Sequence, residues 1–457
     1  VRLMDVLLVR PKPEKETIGL QHVMNCEPLE LEYLVSNVPE ELRSKVRVQI
    51  IDMILEKESY ESILIRLRPA LVVFTGYITH VGIIKTMCSM AKNRVPGLLT
   101  GVGGVHAEVV AEDFEAAEID FVYSRNGIDG FNETLRGMLA NKKVAEIKAA
   151  LEEMGERKLS FSYRHPDRTA VSKYRHGYYY MFHSPCALIK TSFGCPYHCS
   201  FCFCKEITGG AYFTREIDDV VDELAAIAEE EIYIVDDDFL FSEARIRKFL
   251  RLLKKQGIEK KFLVYGRADF VASHEDLLRD FKEQGLQAVI VGLESMRARD
   301  LELYNKKTDK AMNEKAVKVL QALGIELYAT LIIPTDFVRE DFKELTAWLR
   351  KLDVRFVNLQ PLTPLPGTGI FEQYSDRLLY PRERYEMWDM AHVILKPEHM
   401  GIRAFYWEIV KAYYRIIMRP KHLLALIIRY GIKDNLKMLL GSSAVSLQYI
   451  KKIKRGY

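Results

Sequence analysis

Short apolar runs alternate with helical patterns twice along this chain, and that alternation confines the fold to parallel α/β architectures. In the N-terminal third the runs are Val6–Val9, Val46–Ile51, Leu71–Phe74, Gly97–Thr100 and Ile119–Tyr123. Helical patterns fall near 28–36, 58–67, 80–94, 107–115 and 128–140. Runs without polar alternation suit strands buried on both faces, which predicts a doubly wound domain of the flavodoxin-like order over residues 1–140. A second series follows: Ala187–Thr191, Ile232–Val235, Phe262–Tyr265, Ala288–Gly292, Leu327–Ile333 and Phe356–Leu359. Helical patterns near 215–229, 242–256, 274–284, 309–323 and 338–352 separate them. Six strand–helix units predict a partial (β/α)6 barrel, open on one side, over residues 186–380. Residues 141–185 read as a connector, with a polar helical pattern over 142–158 and then clustered polar residues and tyrosines. Residues 381–457 read as a helical C-terminal region, with segments at 382–394, 405–418, 422–432 and 433–450.

At the head of the second series stands Cys195-Pro-Tyr-His-Cys199-Ser-Phe-Cys202. Disulfides do not need this spacing. Three thiolates hold three irons of a [4Fe–4S] cube and leave the fourth iron open to a ligand. The rival is a structural zinc, which takes four ligands, with Cys204 as the nearest fourth. Cys26, Cys88 and Cys186 are scattered singles of the kind found in cores. An exposed cluster does not survive oxygen, which points to a reducing cytoplasm. The opening residues carry no signal-peptide run, and no stretch of 18 apolar residues occurs, so no spanning helix is expected.

The remaining chemistry-bearing residues fall at predicted strand ends, where parallel α/β folds bind their ligands. The first domain offers Thr75-Gly76-Tyr77 and Gly101-Val-Gly103-Gly104-Val-His106. Glycines there admit a flat ligand or simply make a tight turn, and His106 is either a ligand-facing or a loop histidine. In the second series Asp236-Asp237-Asp238 needs a cation, either an ammonium group or Mg²⁺. Neighbours in an extended segment point opposite ways, so at most two of the three face one ligand. Arg267 suits a carboxylate fork or a plain pair with Asp269. Glu294 and Ser295 end the fourth strand. Beyond them Tyr304, Lys306 and Lys307 read as a helical stretch whose lysines are solvated, the alternative being that one of them steadies the bound ligand.

The spacing Cys-x3-Cys-x2-Cys resembles the signature of the radical S-adenosylmethionine (SAM) enzymes. A doubly wound domain ahead of it, with Gly103-Gly104-Val-His106, resembles the cobalamin-binding branch of that family. The resemblance implies that Cys195, Cys199 and Cys202 hold a [4Fe–4S] cluster whose open iron chelates SAM. One electron then releases a 5′-deoxyadenosyl radical that removes hydrogen from an unreactive carbon. It places Phe201 beside adenine, the ammonium group of SAM at Asp236, Asp237 or Asp238, and its other contacts at Arg267, Glu294 and Ser295. It places cobalamin against Thr75, Gly76, Tyr77, Gly103, Gly104 and His106. The chain departs from the family pattern in three ways. It has no Asp-x-His-x-x-Gly, so cobalamin is expected without a histidine ligand; Asn126-Gly-Ile-Asp-Gly130 replaces Gly-Glu-Gly-Glu; and Phe193 replaces the arginine before Gly-Cys-Pro.

Net charge is only +3, but it is unevenly placed. From residue 401 onward, twelve lysines and arginines face only Glu408 and Asp434, interleaved with aromatic and aliphatic residues. That pattern reads as attachment to an anionic membrane surface at the inner face, or as a lid over the barrel mouth. No nucleic-acid motif accompanies it, and no nucleic-acid partner is expected. The function expected is C-methylation of a lipid-like or other apolar small molecule, with a flavodoxin- or ferredoxin-type reductant. The alternatives are radical cyclisation or carbon–carbon coupling of a lipid, isoprenoid or tetrapyrrole, and a non-catalytic Fe–S or zinc-bearing membrane-associated binding protein.

Overall fold

The continuous apolar runs become parallel strands. The computed structural model describes residues 3–19, 22–124, 126–155 and 163–456. The first series forms β1 (Met4–Arg10), β2 (Val46–Asp52), β3 (Leu71–Thr75), β4 (Leu99–Gly103) and β5 (Phe121–Val122). They make a parallel sheet in the order β2-β1-β3-β4-β5, the expected flavodoxin-like order. Successive residues 5–9 of β1 and all of β3, which point to opposite faces, are buried, so both sides are covered. Two local expectations are corrected. The Gly97–Thr100 strand runs later, through Gly103, because the Tyr123 ring packs where a Gly101 side chain would stand. The helix expected near 107–115 is split into Val105–Val109 and a 3₁₀ turn at Ala111–Phe114, and His106 bonds to Asp113 across the break.

The second series forms β6 (Cys186–Ile189), β7 (Glu231–Ile234), β8 (Lys261–Gly266), β9 (Leu286–Glu294), β10 (Glu326–Ile333) and β11 (Phe356–Pro361). These six pair in sequence order, all parallel, as an open (β/α)6 half-barrel. Amphipathic helices such as Glu243–Gln256 cover its outside; Ile246, Phe249, Leu250 and Leu253 recur at helical spacing and are buried. Each such side chain contributes roughly 1.5–3 kcal/mol by leaving water.

The C-terminal region differs most from expectation. Arg382–Ile394 is not a helix; it holds only a 3₁₀ turn at Tyr385–Met387. Its apolar residues are spent on two cores rather than on one helical face, because Glu383–Asp389 belongs to one compact unit and the chain from Met390 to the other. The helix Ile402–Ile417 is an integral part of the barrel. Phe405, Tyr406, Ile409 and Ile416 join the barrel core, and the Tyr413 hydroxyl accepts from the Leu359 backbone N–H at 2.8 Å on β11. It therefore covers the edge strand, whose free backbone groups otherwise invite mispairing. The last helical span, Pro420–Arg455, is interrupted at Gly431 (φ 77°, ψ 171°) and so forms two pieces.

The compact units are Val1–Thr17, Glu27–Gly177 and Glu383–Asp389 for the first, and Ile18–Cys26, Tyr178–Arg382 and Met390–Tyr457 for the second. The described part of the connector up to Gly177, including the helix Val144–Glu153, thus belongs with the first unit. Residues 156–162, part of the predicted connector helix among them, lie outside the described residues.

Candidate active site

In the second unit the three cysteines sit on the loop that follows β6, and neighbouring strand ends clasp that loop. The Ser200 N–H donates to the Tyr304 carbonyl at 3.0 Å and its hydroxyl to the Leu303 carbonyl at 3.0 Å. The Asn305 amide donates to the His198 carbonyl at 2.7 Å, and the Ile370 N–H, beyond the proline-rich loop after β11, to the Ser200 carbonyl at 3.0 Å. Arg267, at the end of β8, lies 3.7 Å from the Tyr197 ring centre. It also pairs with Asp269 at 3.1 Å, donates to the Lys306 carbonyl at 2.8 Å, and reaches the Cys199 sulfur at 4.0 Å. Arg267 is thus both the structural partner of Asp269 and a neighbour of the cluster loop.

Burial pushes the Cys195 thiol up to about 12 and raises Cys199 as well. Thiolates in so dry a loop would need cationic compensation, which bound iron would supply. Cys202 is lowered, chiefly because Cys204 donates a hydrogen bond to its sulfur. Among the described residues, no three carboxylate, thiol or imidazole groups, the three cysteines of this loop included, converge as a preformed single-ion site.

The acidic triplet divides by function. Asp236 is saturated: it accepts from the Thr191 and Ser192 N–H groups at 2.6 and 3.0 Å and from the Ser192 hydroxyl at 2.7 Å. It ties the ends of β6 and β7 together, which corrects its reading as a free ligand. Asp237 stands 3.6 Å from the Lys190 ammonium. Asp238 is buried, and neither carboxylate oxygen has a hydrogen-bond partner among the described residues. Burial raises it to about 8, against the pull of Arg267 and Lys306. It is the member of the triplet with unpartnered buried oxygens, and an ammonium group such as that of SAM would satisfy them.

Glu294, at the end of β9 with φ 58°, is ion-paired to Lys306 at 2.9 Å, and both are buried. Lys306 is therefore not the solvated helix lysine expected. Burial lowers its pKa, but Glu294 and Cys199 more than restore it, and the ammonium stays charged. The helix before it, Ala298–Leu303, ends at Tyr304, and Lys306 turns inward. An acid at a strand end that must be buried was the available signal for a buried cation nearby. Ser295 donates to Asp300 at 2.7 Å and braces the turn. Phe201 meets the buried Tyr304 ring edge-on at 5.6 Å. Sequence reasoning passed over Tyr197.

In the first unit the ends of β3 and β4 form a backbone platform. Gly104 has φ 96°, and a Cβ there would lie 2.8 Å from the Thr75 hydroxyl and 3.0 Å from the Gly76 nitrogen. No side chain fits, so the surface offered is peptide backbone, as a flat ligand requires. Thr75 donates to Glu30 at 2.8 Å, Gly103 closes β4, and Tyr77 is exposed at the rim. His106 is buried with its Nε2 2.7 Å from Asp113, which also accepts from the Tyr385 hydroxyl at 3.1 Å. Its ring is committed inside the unit. His80, which the sequence reading did not single out, accepts from the Tyr77 N–H at 3.2 Å; burial holds it down at about 4, hence neutral.

Two family profiles match the chain, the B12 binding domain over residues 24–134 and the radical SAM superfamily over residues 189–349. The chain belongs to the cobalamin-binding radical SAM enzymes. The hopanoid C-3 methylase of Methylococcus capsulatus is 28% identical over 92% of this chain and 81% of its own length. The anaerobic magnesium-protoporphyrin IX monomethyl ester cyclase of Cereibacter sphaeroides is 23% identical over 81% of this chain and 64% of its own. The radical SAM methyltransferase TsrM of Kitasatospora setae, solved with cobalamin and a [4Fe–4S] cluster, shares the fold at a TM-score of 0.65 and 17% identity. That likeness covers 92% of this chain and 90% of TsrM. The protein is an enzyme that uses a [4Fe–4S] cluster, SAM and cobalamin, which sets aside the non-catalytic binding protein. Among the described residues no helix is long and apolar enough to cross a membrane.

Proposed function

We propose that the enzyme transfers a methyl group to an unactivated carbon of a lipid-like small molecule. The observation that carries this reading is its similarity to a hopanoid C-3 methylase, which runs through both cofactor-binding regions rather than one. When bound, the cluster and SAM supply a hydrogen-abstracting radical and cobalamin supplies a methyl group. The chain's own residues position and shield. Cys195, Cys199 and Cys202 hold the cluster; Arg267 and the segment 303–306 fix their loop. Asp238 would meet the ammonium group of SAM, beside the buried Lys306–Glu294 pair. Phe201 and Tyr304 keep water from the adenine side. Backbone at Gly76, Gly103 and Gly104 supports the corrin, with Thr75 and Tyr77 at its rim and no histidine on cobalt.

A small reducing protein of the flavodoxin or ferredoxin kind delivers the electron. The setting is the cytoplasmic side of a membrane, where an apolar substrate resides. The cyclase among the relatives keeps ring closure as the second reading. Comparing total lipid extracts of a gene-deleted strain and its parent under anaerobic growth tests the proposal. The deletion is expected to replace a lipid by one lighter by a single methylene. Unchanged lipids with a changed tetrapyrrole would favour ring closure.

A further inference from the structure

The last helix is apolar on both of its long faces. Beyond Gly431, Met438, Gly441 and Tyr449 are buried against the second unit. The opposite face carries Ile432, Leu436, Leu439, Leu440 and Leu447, at spacings of one helical stripe, and all are exposed; Ile432 is 75% and Leu440 65% open. Before the break, Leu424 and Ile428 continue the exposure at 60% and 76%. A helix apolar all round is ordinarily covered all round, and a patch of this length marks an interaction surface. It is too polar in sum to cross a bilayer.

Charge identifies what covers it. Part of the tail's basic excess is spent internally: Arg419 and Lys421 lie within 3.0 and 2.5 Å of Asp353, and Arg429 is 3.0 Å from Glu326. The exposed lysines that remain are placed along the stripe. Lys437 is also engaged, 3.4 Å over the Tyr179 ring centre, but Lys433 follows Ile432 by one residue, and Lys451 and Lys454 continue the line past Leu447. Asp434 is the only acid on this helix. A second copy of the same face would set lysine against lysine. An anionic lipid surface meets both the apolar stripe and its lysines, which snorkel to the headgroups.

We propose that the outer face of this helix, from Leu424 to Lys454, lies flat on an anionic membrane. This deepens the membrane setting proposed above by naming the surface, and it stands on the tail's geometry whatever the substrate is.

The test is anaerobic co-sedimentation of the full-length holoprotein with vesicles of phosphatidylcholine alone or mixed with phosphatidylglycerol. Binding to the mixed vesicles is expected, at least about tenfold weaker in high salt or with phosphatidylcholine alone. Leu436→Glu/Leu440→Glu should abolish it, and Lys433→Glu/Lys451→Glu should weaken it at least about tenfold. Both variants should keep wild-type iron content and 5′-deoxyadenosine release, because neither touches the barrel mouth. Equal binding by wild type and the leucine variant overturns the proposal. So does absence of vesicle binding together with a wild-type dimer that the leucine variant renders monomeric, which assigns the face to a second copy. Failure of the lipid-extract experiment with intact vesicle binding would refute the substrate and leave this surface standing.

Discussion

Lys306 Nζ stands 2.9 Å from Glu294 Oε1, both side chains buried, with Lys306 hydrogen-bonded through its carbonyl to Arg267 beside Cys199. Removing one partner of such a pair strands a charge and costs about 3–5 kcal/mol. Lys306→Met is therefore expected to lower unfolding stability by about 3 kcal/mol and to reduce reconstituted iron, whereas Glu294→Gln/Lys306→Met recovers much of the stability. Anaerobic denaturant unfolding with iron quantification checks both.

Asp238 sets a pH dependence. Its carboxyl is raised from an ordinary value of 3.8 to about 8 by burial. The folded chain holds a proton that the unfolded chain releases, so stability is full below about pH 4 and is lost as pH rises through about pH 8. SAM-free Asp238→Asn should lack that slope and be about 2–3 kcal/mol more stable than wild type at pH 8. It should also bind SAM about tenfold to a hundredfold more weakly. Unfolding at acidic and alkaline pH and calorimetric titration with SAM report the two effects; a pH-independent difference would contradict the assignment.

Cysteine roles separate cleanly. Cys199→Ala should lose the cluster and release no 5′-deoxyadenosine. Cys204→Ala takes away the thiol whose interaction lowers the Cys202 pKa. It should retain full iron and shift only the cluster's reduction potential. Loss of iron in Cys204→Ala would make it a ligand.

Gly104→Ala tests the backbone platform. Its φ of 96° and the 2.8 Å approach to Thr75 leave no room for a methyl group, at a cost of about 1–3 kcal/mol. The expected outcome is loss of corrinoid absorbance at unchanged iron content. His106→Ala should retain corrinoid, and paramagnetic resonance of the reduced cobalt should show no nitrogen coupling in wild type.

Strands were legible because burial on both faces writes an unbroken apolar run, as in Val6–Val9 and Leu327–Ile333. The cysteine loop was legible because cluster ligands must lie close in sequence. What failed depended on long-range partners. Lys306 looks solvated until Glu294 is seen beside it, and Asp236 looks like Asp238 until Thr191 and Ser192 claim it. The segment 382–394 carries a helical pattern whose apolar residues serve two cores. Basic residues of the tail count as free charge until Asp353 and Glu326 are found opposite them.

Methyl transfer is tested most directly by supplying reconstituted, cobalamin-loaded enzyme with methyl-deuterated SAM, a strong reductant and lipid extract from the gene-deleted strain. The account predicts a lipid carrying one fully deuterated methyl group, formed together with 5′-deoxyadenosine and absent with Cys199→Ala. Release of 5′-deoxyadenosine with a substrate altered but unlabelled would contradict it.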